Sequence, residues 1–353
     1  MQTNYIRNTA VVKGKCLIYL STRSLNDNFH RRCYNDLMII ILSKITSIFL
    51  IMAAGFAVNR AKIIPSGATK FFVDLLLMIT TPCMILSSVT SKEFNSDTAR
   101  STAEVLACGV LFFSVTFIAG YFLCKKIIRV NPAEDLGVYV MAFSTVNSGF
   151  MGFPITNAIF GGDILYLMIL QNICLTLYMY SAGPFVFNLN AGSGKFDLKR
   201  LFKTFCNPST IISIVSIVML FAGLHLPSML FDSVTLIGDV TVPLSMLVVG
   251  MQLGESNIGR IIKNKHLVIV SALKMFTLPL LLFLTVNWLP ISDDVKVTTI
   301  FAASFPTAVV VSALAVMENK NSLLAAESIA LTTLISVASI PVCALVLTGF
   351  YGV

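Results

Sequence analysis

Charge is what this sequence lacks most. Only 12% of its 353 residues are Asp, Glu, Lys or Arg, while 56% are hydrophobic. Soluble domains carry about 25% charged residues. So few charges could not cover a water-exposed globule of this size, and a soluble enzyme is excluded first. The mean hydropathy is +0.85. Histidine is nearly absent: His30, His225 and His266 stand far apart, with no ligand spacing. The eight cysteines form no C-x-x-C pair, and most sit inside apolar runs, so they read as buried thiols. Neither a metal site nor a bound cofactor is expected. Ten-residue alternating strands are missing as well, which excludes an outer-membrane barrel.

What the chain has instead is blocks of about 20 apolar residues, the length that crosses a bilayer as helix. Ten such segments lie near 37–58, 69–90, 103–124, 135–160, 164–187, 208–225, 230–252, 266–288, 297–317 and 324–350. The fold class is therefore an all-α polytopic membrane protein with ten transmembrane helices. Residues 1–36 form a polar, basic extension with net charge +4 and no helical periodicity. No apolar core with a small-residue cleavage site is present there, so the extension is not a signal peptide. It reads as a disordered tail or as a stretch preceding a true start at Met38.

Loop charge predicts orientation. The loops after segments 1, 3, 5, 7 and 9 hold 14 Lys and Arg, among them Arg60, Lys125, Lys203, Arg260 and Lys320. The loops after segments 2, 4, 6 and 8 hold three: Lys92, Arg100 and Lys296. The positive-inside rule puts the first group in the cytoplasm and both termini outside the cell (inner) membrane. The excess of +8 is assigned to these loops rather than to nucleic-acid binding.

The halves resemble each other. Segments 2 and 7 carry the mid-span helix-breaking prolines Pro82 and Pro243, and segments 5 and 10 carry Pro184 and Pro341. Segment 4 is interrupted at Asn147-Ser148-Gly149 through Pro154, and segment 9 at Phe305-Pro306-Thr307. Pro82 to Asn147 spans 65 residues, and Pro243 to Pro306 spans 63. Five segments per half is an odd number, so the halves enter the membrane from opposite sides. The division is 37–190 for the first five-helix repeat, 191–207 for a cytoplasmic linker, and 208–353 for the second repeat. Inverted repeats with matched broken helices characterise secondary transporters, whose site lies at the breaks.

A half-helix N-terminus at such a break offers free N–H groups and a partial positive charge, which suits a carboxylate. The candidate substrate-binding residues are Asn147, Ser148, Gly149, Pro154, Asn157, Pro306 and Thr307. Ordinary kinks lined by small residues are the plainer alternative. Among ionisable residues within spans, Lys44 and Lys274 read as snorkelling side chains. Asp74 reads as an i,i+4 partner of Lys70. Asp239, one turn before Pro243, is the candidate for a coupling proton or cation. Gln171 and Asn172 either line a cavity or bond a neighbouring helix.

Three stretches carry a family resemblance: Asn147-Ser148-Gly149-Phe150-Met151-Gly152-Phe153-Pro154; Val242-Pro243-Leu244-Ser245 with Gly250; and Phe305-Pro306 with Thr332-Thr333-Leu334 and Ile340-Pro341. Over roughly 38–353 the chain resembles the auxin efflux carrier family, which includes bacterial malate and malonate permeases. The resemblance implies two inverted five-helix repeats with broken helices 4 and 9 crossing. It also implies a scaffold of segments 1, 2, 6 and 7 beside a transport domain of segments 3–5 and 8–10. Val146 stands where the plant carriers have a proline, and their long cytoplasmic loop is missing, both of which argue against plant-like auxin specificity. The expected function is elevator-like transport of a small organic anion such as malate, coupled to H+ or Na+, by a chain that could pair as a homodimer. A sodium-coupled symporter of the bile-acid type is the alternative. An intramembrane aspartyl protease would need a second aspartate motif, and Asp74 lies in none. A channel would show unsaturable flux.

Overall fold

The computed structural model describes residues 27–65, 67–93, 95–189 and 208–352. Residues 1–26 and the linker 191–207 lie outside them. Helix and no strand is present among the described residues, as hydrocarbon demands of backbone that has no water to bond. The helices, in chain order, are α1 Asp27–Arg60, α2 Ala68–Leu75, α3 Thr81–Thr90, α4 Ser96–Phe122, α5 Leu136–Ser144, α6 Phe153–Ile159, α7 Gly162–Ser181 and α8 Gly183–Phe187. They continue with α9 Pro208–Phe221, α10 Ser228–Asp239, α11 Thr241–Glu255, α12 Ile258–Ile261, α13 Lys265–Ala272, α14 Leu278–Val286, α15 Asp293–Ala303, α16 Val310–Met317 and α17 Ser322–Tyr351.

Among the described residues, eight stretches are long and apolar enough to cross a membrane. Segment 6 is a 14-residue helix, α9, and segment 9 is divided between α15 and α16. The first helix begins at Asp27, ten residues before the boundary at 37, and takes in the end of the polar extension.

Proline explains most interruptions. It lacks an N–H, and its ring displaces the carbonyl four residues back. Wide π turns form at Leu76–Thr80, Ser148–Gly152 and Leu273–Thr277, each ending two residues before a proline: Pro82, Pro154 and Pro279. Pro341, by contrast, is absorbed inside the continuous α17.

Packing falls into two groups. α1 runs along α11, and α3 packs on α9 and α10. In the second group α4 contacts α5, α7 and α15, while α17 contacts α13, α15 and α16. Segment 4 is central, with 94% of its apolar window buried.

The α1–α11 seam depends on glycine. A Cβ on Gly250 would sit 2.0 Å from the Met52 carbonyl oxygen, and one on Gly55 would sit 2.2 Å from that of Leu247. Gly250 and Gly254 form the small-xxx-small spacing that lets membrane helices touch backbone to backbone. Gly250→Ala must push the helices apart, an overpacking cost of about 1–3 kcal/mol. It should lower the thermal unfolding midpoint of the detergent-solubilised protein. Gly149→Ala should leave the midpoint in place, because a Cβ there meets nothing within 4 Å.

Candidate functional site

The two interrupted helices meet at their breaks. Helix α5 stops at Ser144, and Asn147 turns the chain into the π turn that leads to α6. On the other side α15 stops at Ala303, and residues 304–309 lead to α16. The Asn147 N–H donates to the Pro306 carbonyl at 2.7 Å. The Thr307 N–H donates to Thr332 Oγ1 at 3.0 Å, and the Thr307 hydroxyl donates to the Ala142 carbonyl at 2.7 Å. Backbone groups freed by the breaks are thus bonded rather than left bare in hydrocarbon: Asn147 and Ala142 across the crossing, and the Thr307 N–H by Thr332 of its own half of the chain.

Lys274 completes this joint. It comes from the π turn between α13 and α14 and is fully buried. Its ammonium donates to the carbonyls of Ala142 (2.9 Å) and Thr145, and to Thr307 Oγ1 at 3.2 Å. These carbonyls belong to the C-terminal end of α5, where helix carbonyls lack partners and the helix dipole is negative. No carboxylate pairs with Lys274 among the described residues. The snorkelling reading of this residue is therefore overturned. Its signal was depth: Lys274 lies nine residues beyond Lys265, about 14 Å along a helix, too far for its stem to reach the interface. Lys44 does lie on the exposed face of α1. Lys70 and Asp74 are both exposed and form no ion pair, consistent with the small worth of such surface pairs.

Two cavities converge on Asn147. One, about 420 Å³, is lined by Asn147, Gln252, Glu255, Arg260, Glu327 and Thr333 among others. The second, about 100 Å³, is lined by Thr81, Asn147, Gly149, Asn172, Thr176 and Ser209 among others. Asn147 itself is only 4% exposed. Its Oδ1 accepts from the Phe150 N–H at 3.3 Å, capping the second half-helix. Its Nδ2 makes no hydrogen bond with any described residue. Its donor is left over for a ligand, as is the Nδ2 of Asn172 on the smaller cavity, whose Oδ1 alone is bonded.

The other candidates differ. Ser148 donates to Asn172 Oδ1 at 2.5 Å. Gly149 leaves open space on the smaller cavity. Pro154 is buried at the start of α6, and Asn157 is half-buried on the same helix; neither lines these cavities. Pro306 and Thr307 tie the crossing together instead of facing either cavity. Pro82 and Pro243 sit in the first turns of α3 and α11. Asp239 ends α10 with an exposed side chain and lines neither cavity. Gln171 is buried, and neither atom of its amide has a partner.

At the opposite end, Lys92 after α3 pairs with Asp163 at the start of α7. Burial holds the Lys92 ammonium below its ordinary pKa, and the nearby Asp294 carboxylate partly offsets this. That contact joins the first packing group to the second.

Lys274→Met should strip the donor from the Thr145 carbonyl and one of two donors from Ala142. Each carbonyl left bare costs about 1–3 kcal/mol. The expected result is a lower unfolding midpoint together with loss of transport. Lys274→Arg should not restore either, because a planar fork does not fit this compact cage. An unchanged midpoint in the Met variant would show that the ammonium does not hold the crossing.

Residues 40–344 match the family described as membrane transport protein. An uncharacterized transporter of Methanocaldococcus jannaschii is 25% identical over 301 residues, 82% of this chain and 93% of its own length. An uncharacterized transporter of Methanothermobacter thermautotrophicus is 22% identical over 306 residues, 86% of this chain and 97% of its own length. A family match over that range, together with a helical frame of membrane-spanning length, has one reading: the chain belongs to the membrane transport protein family, the transporters related to the auxin efflux carriers.

Proposed function

We propose that the protein is a secondary transporter for a small organic anion, a mono- or dicarboxylate such as malate, that works by elevator-like alternating access. The observation that carries this reading is Asn147. It is a nearly buried amide at the N-terminus of a half-helix, with an unspent donor, at the junction of two cavities. A carboxylate placed there meets the Nδ2 donor, the partial positive charge of the helix start and the open space over Gly149.

The packing supports the mechanism. Segments 1, 2, 6 and 7 form one group around the glycine seam, and the remaining segments carry both broken helices in the other. In this reading they are scaffold and transport domain, within ten spans arranged as two inverted repeats. With the basic loops in the cytoplasm, the larger cavity opens inward, because it is lined by the end of α11, the α12 loop and the start of α17. The Lys92–Asp163 contact then joins the two groups on the outer side. The chain would sit in the cell membrane with an inward-open access path.

Uptake of labelled carboxylates into proteoliposomes, under imposed pH and sodium gradients, tests the reading and identifies the coupling ion. Asn147→Ala should weaken the substrate by about 1–3 kcal/mol, roughly 5- to 150-fold in affinity, while the protein still elutes as a folded species. Unchanged affinity in that variant would remove Asn147 from the site. Failure of the wild type to move any carboxylate would reject the substrate class.

A further inference from the structure

The larger cavity has a charge arrangement that the crossing does not explain. Among the residues lining it, Arg260 is the one cation, and Glu255 and Glu327 are the two acids. Glu255 is already committed. Thr69 Oγ1 donates to it at 2.7 Å and Asn59 Nδ2 at 3.4 Å, both from the α1–α2 side. Arg260 and Glu327 face each other with a closest approach of 3.2 Å, Nε to Oε1. That contact is loose beside Arg100–Glu104, which closes to 2.7 Å as a hydrogen bond. The guanidinium side chain is 63% exposed, and the Glu327 side chain 14%.

Local structure holds the arginine at the wall. It sits in the short helix α12, and its backbone N–H donates to the side chain of Asn257 at 3.2 Å. The next residue, Ile261, is buried and also lines the cavity. The backbone is anchored, and the fork of the side chain is largely free.

Resting on the reading of the protein as a carboxylate transporter, we propose that Arg260 binds the substrate carboxylate in the larger cavity, and that Glu327 is the built-in competitor the substrate displaces. An arginine fork matches a carboxylate with two parallel hydrogen bonds, whereas Glu327 satisfies it poorly as placed. Exchange of one carboxylate for another keeps the guanidinium paired, while Glu327 stays in the cavity wall, so the occupied cavity carries the added charge of the substrate. A dicarboxylate would hold Arg260 with one end and, further along the same cavity, meet the Asn147 donor with the other. Glu327 in turn neutralises Arg260 when the cavity holds no substrate, so smaller inorganic anions without the fork geometry gain little by entering.

A structural ion pair and a displaced competitor predict different things. If the pair is structural, removing either partner acts in the same direction. If Glu327 competes with substrate, the two removals act in opposite directions. The test is sided transport of labelled malate and of a monocarboxylate in proteoliposomes, with the thermal midpoint of each variant measured alongside. Arg260→Gln should raise the half-saturating concentration about tenfold or more on the side of the 255–265 loop and leave the other side unchanged. Glu327→Gln should lower it several-fold on that same side, a gain that misfolding does not produce. Arg260→Lys should recover only part of the loss. Shifts of both Gln variants in one direction, or no shift in either, would overturn the proposal. A wild type that saturates with carboxylates while the Gln variants behave alike rejects Arg260 alone. A wild type that moves no carboxylate rejects the proposal together with the transport reading beneath it.

Discussion

An interrupted helix in a membrane leaves backbone N–H and C=O groups with no water to turn to, and each bare group costs several kcal/mol. This constraint decides how the centre of the protein is built. Two helices break where they meet, and each break is closed by the other: the Asn147 N–H on Pro306, the Thr307 hydroxyl on Ala142. The C-terminal carbonyls of α5 need more donors than the crossing backbone offers, and the Lys274 ammonium supplies them. The buried Lys274 nitrogen has no carboxylate partner among the described residues; three oxygens accept from it at a helix end, where partial negative charge is concentrated.

Satisfying the breaks sorts the polar residues around them into two kinds. Thr307 has both its donors engaged by protein, so it holds geometry. Asn147 spends its backbone N–H and its Oδ1 on structure but keeps Nδ2. Around this fixed centre, the glycine seam between α1 and α11 makes the other group a tightly closed wall. Binding chemistry on one side and close backbone contact on the other are what a carrier needs if one part is to move against a rigid second part.

The sequence made the helical frame and the interruptions legible, since apolar block length and the missing N–H of proline are local properties. Asn147 and Pro306 could be singled out for the same reason. What those residues bond to was not legible, because the partners lie more than 150 residues away: Thr307 reads as a free donor until Ala142 is seen opposite it. For Lys274 the depth in its apolar run was legible and argued against the interface, but nothing local names the cage of carbonyls that receives it. Arg260 was hidden in another way. As one of several basic residues in a loop it served the orientation argument, and nothing local separates a cavity-lining arginine from a topological one. Pro341 shows the converse, a landmark in the sequence that leaves its helix unbroken.

One asparagine lines both cavities, so the two volumes are not independent. The two Nδ2 hydrogens belong to one planar amide, and turning that amide toward one volume turns it away from the other. Any change at this single side chain therefore reshapes both spaces beside the crossing at once.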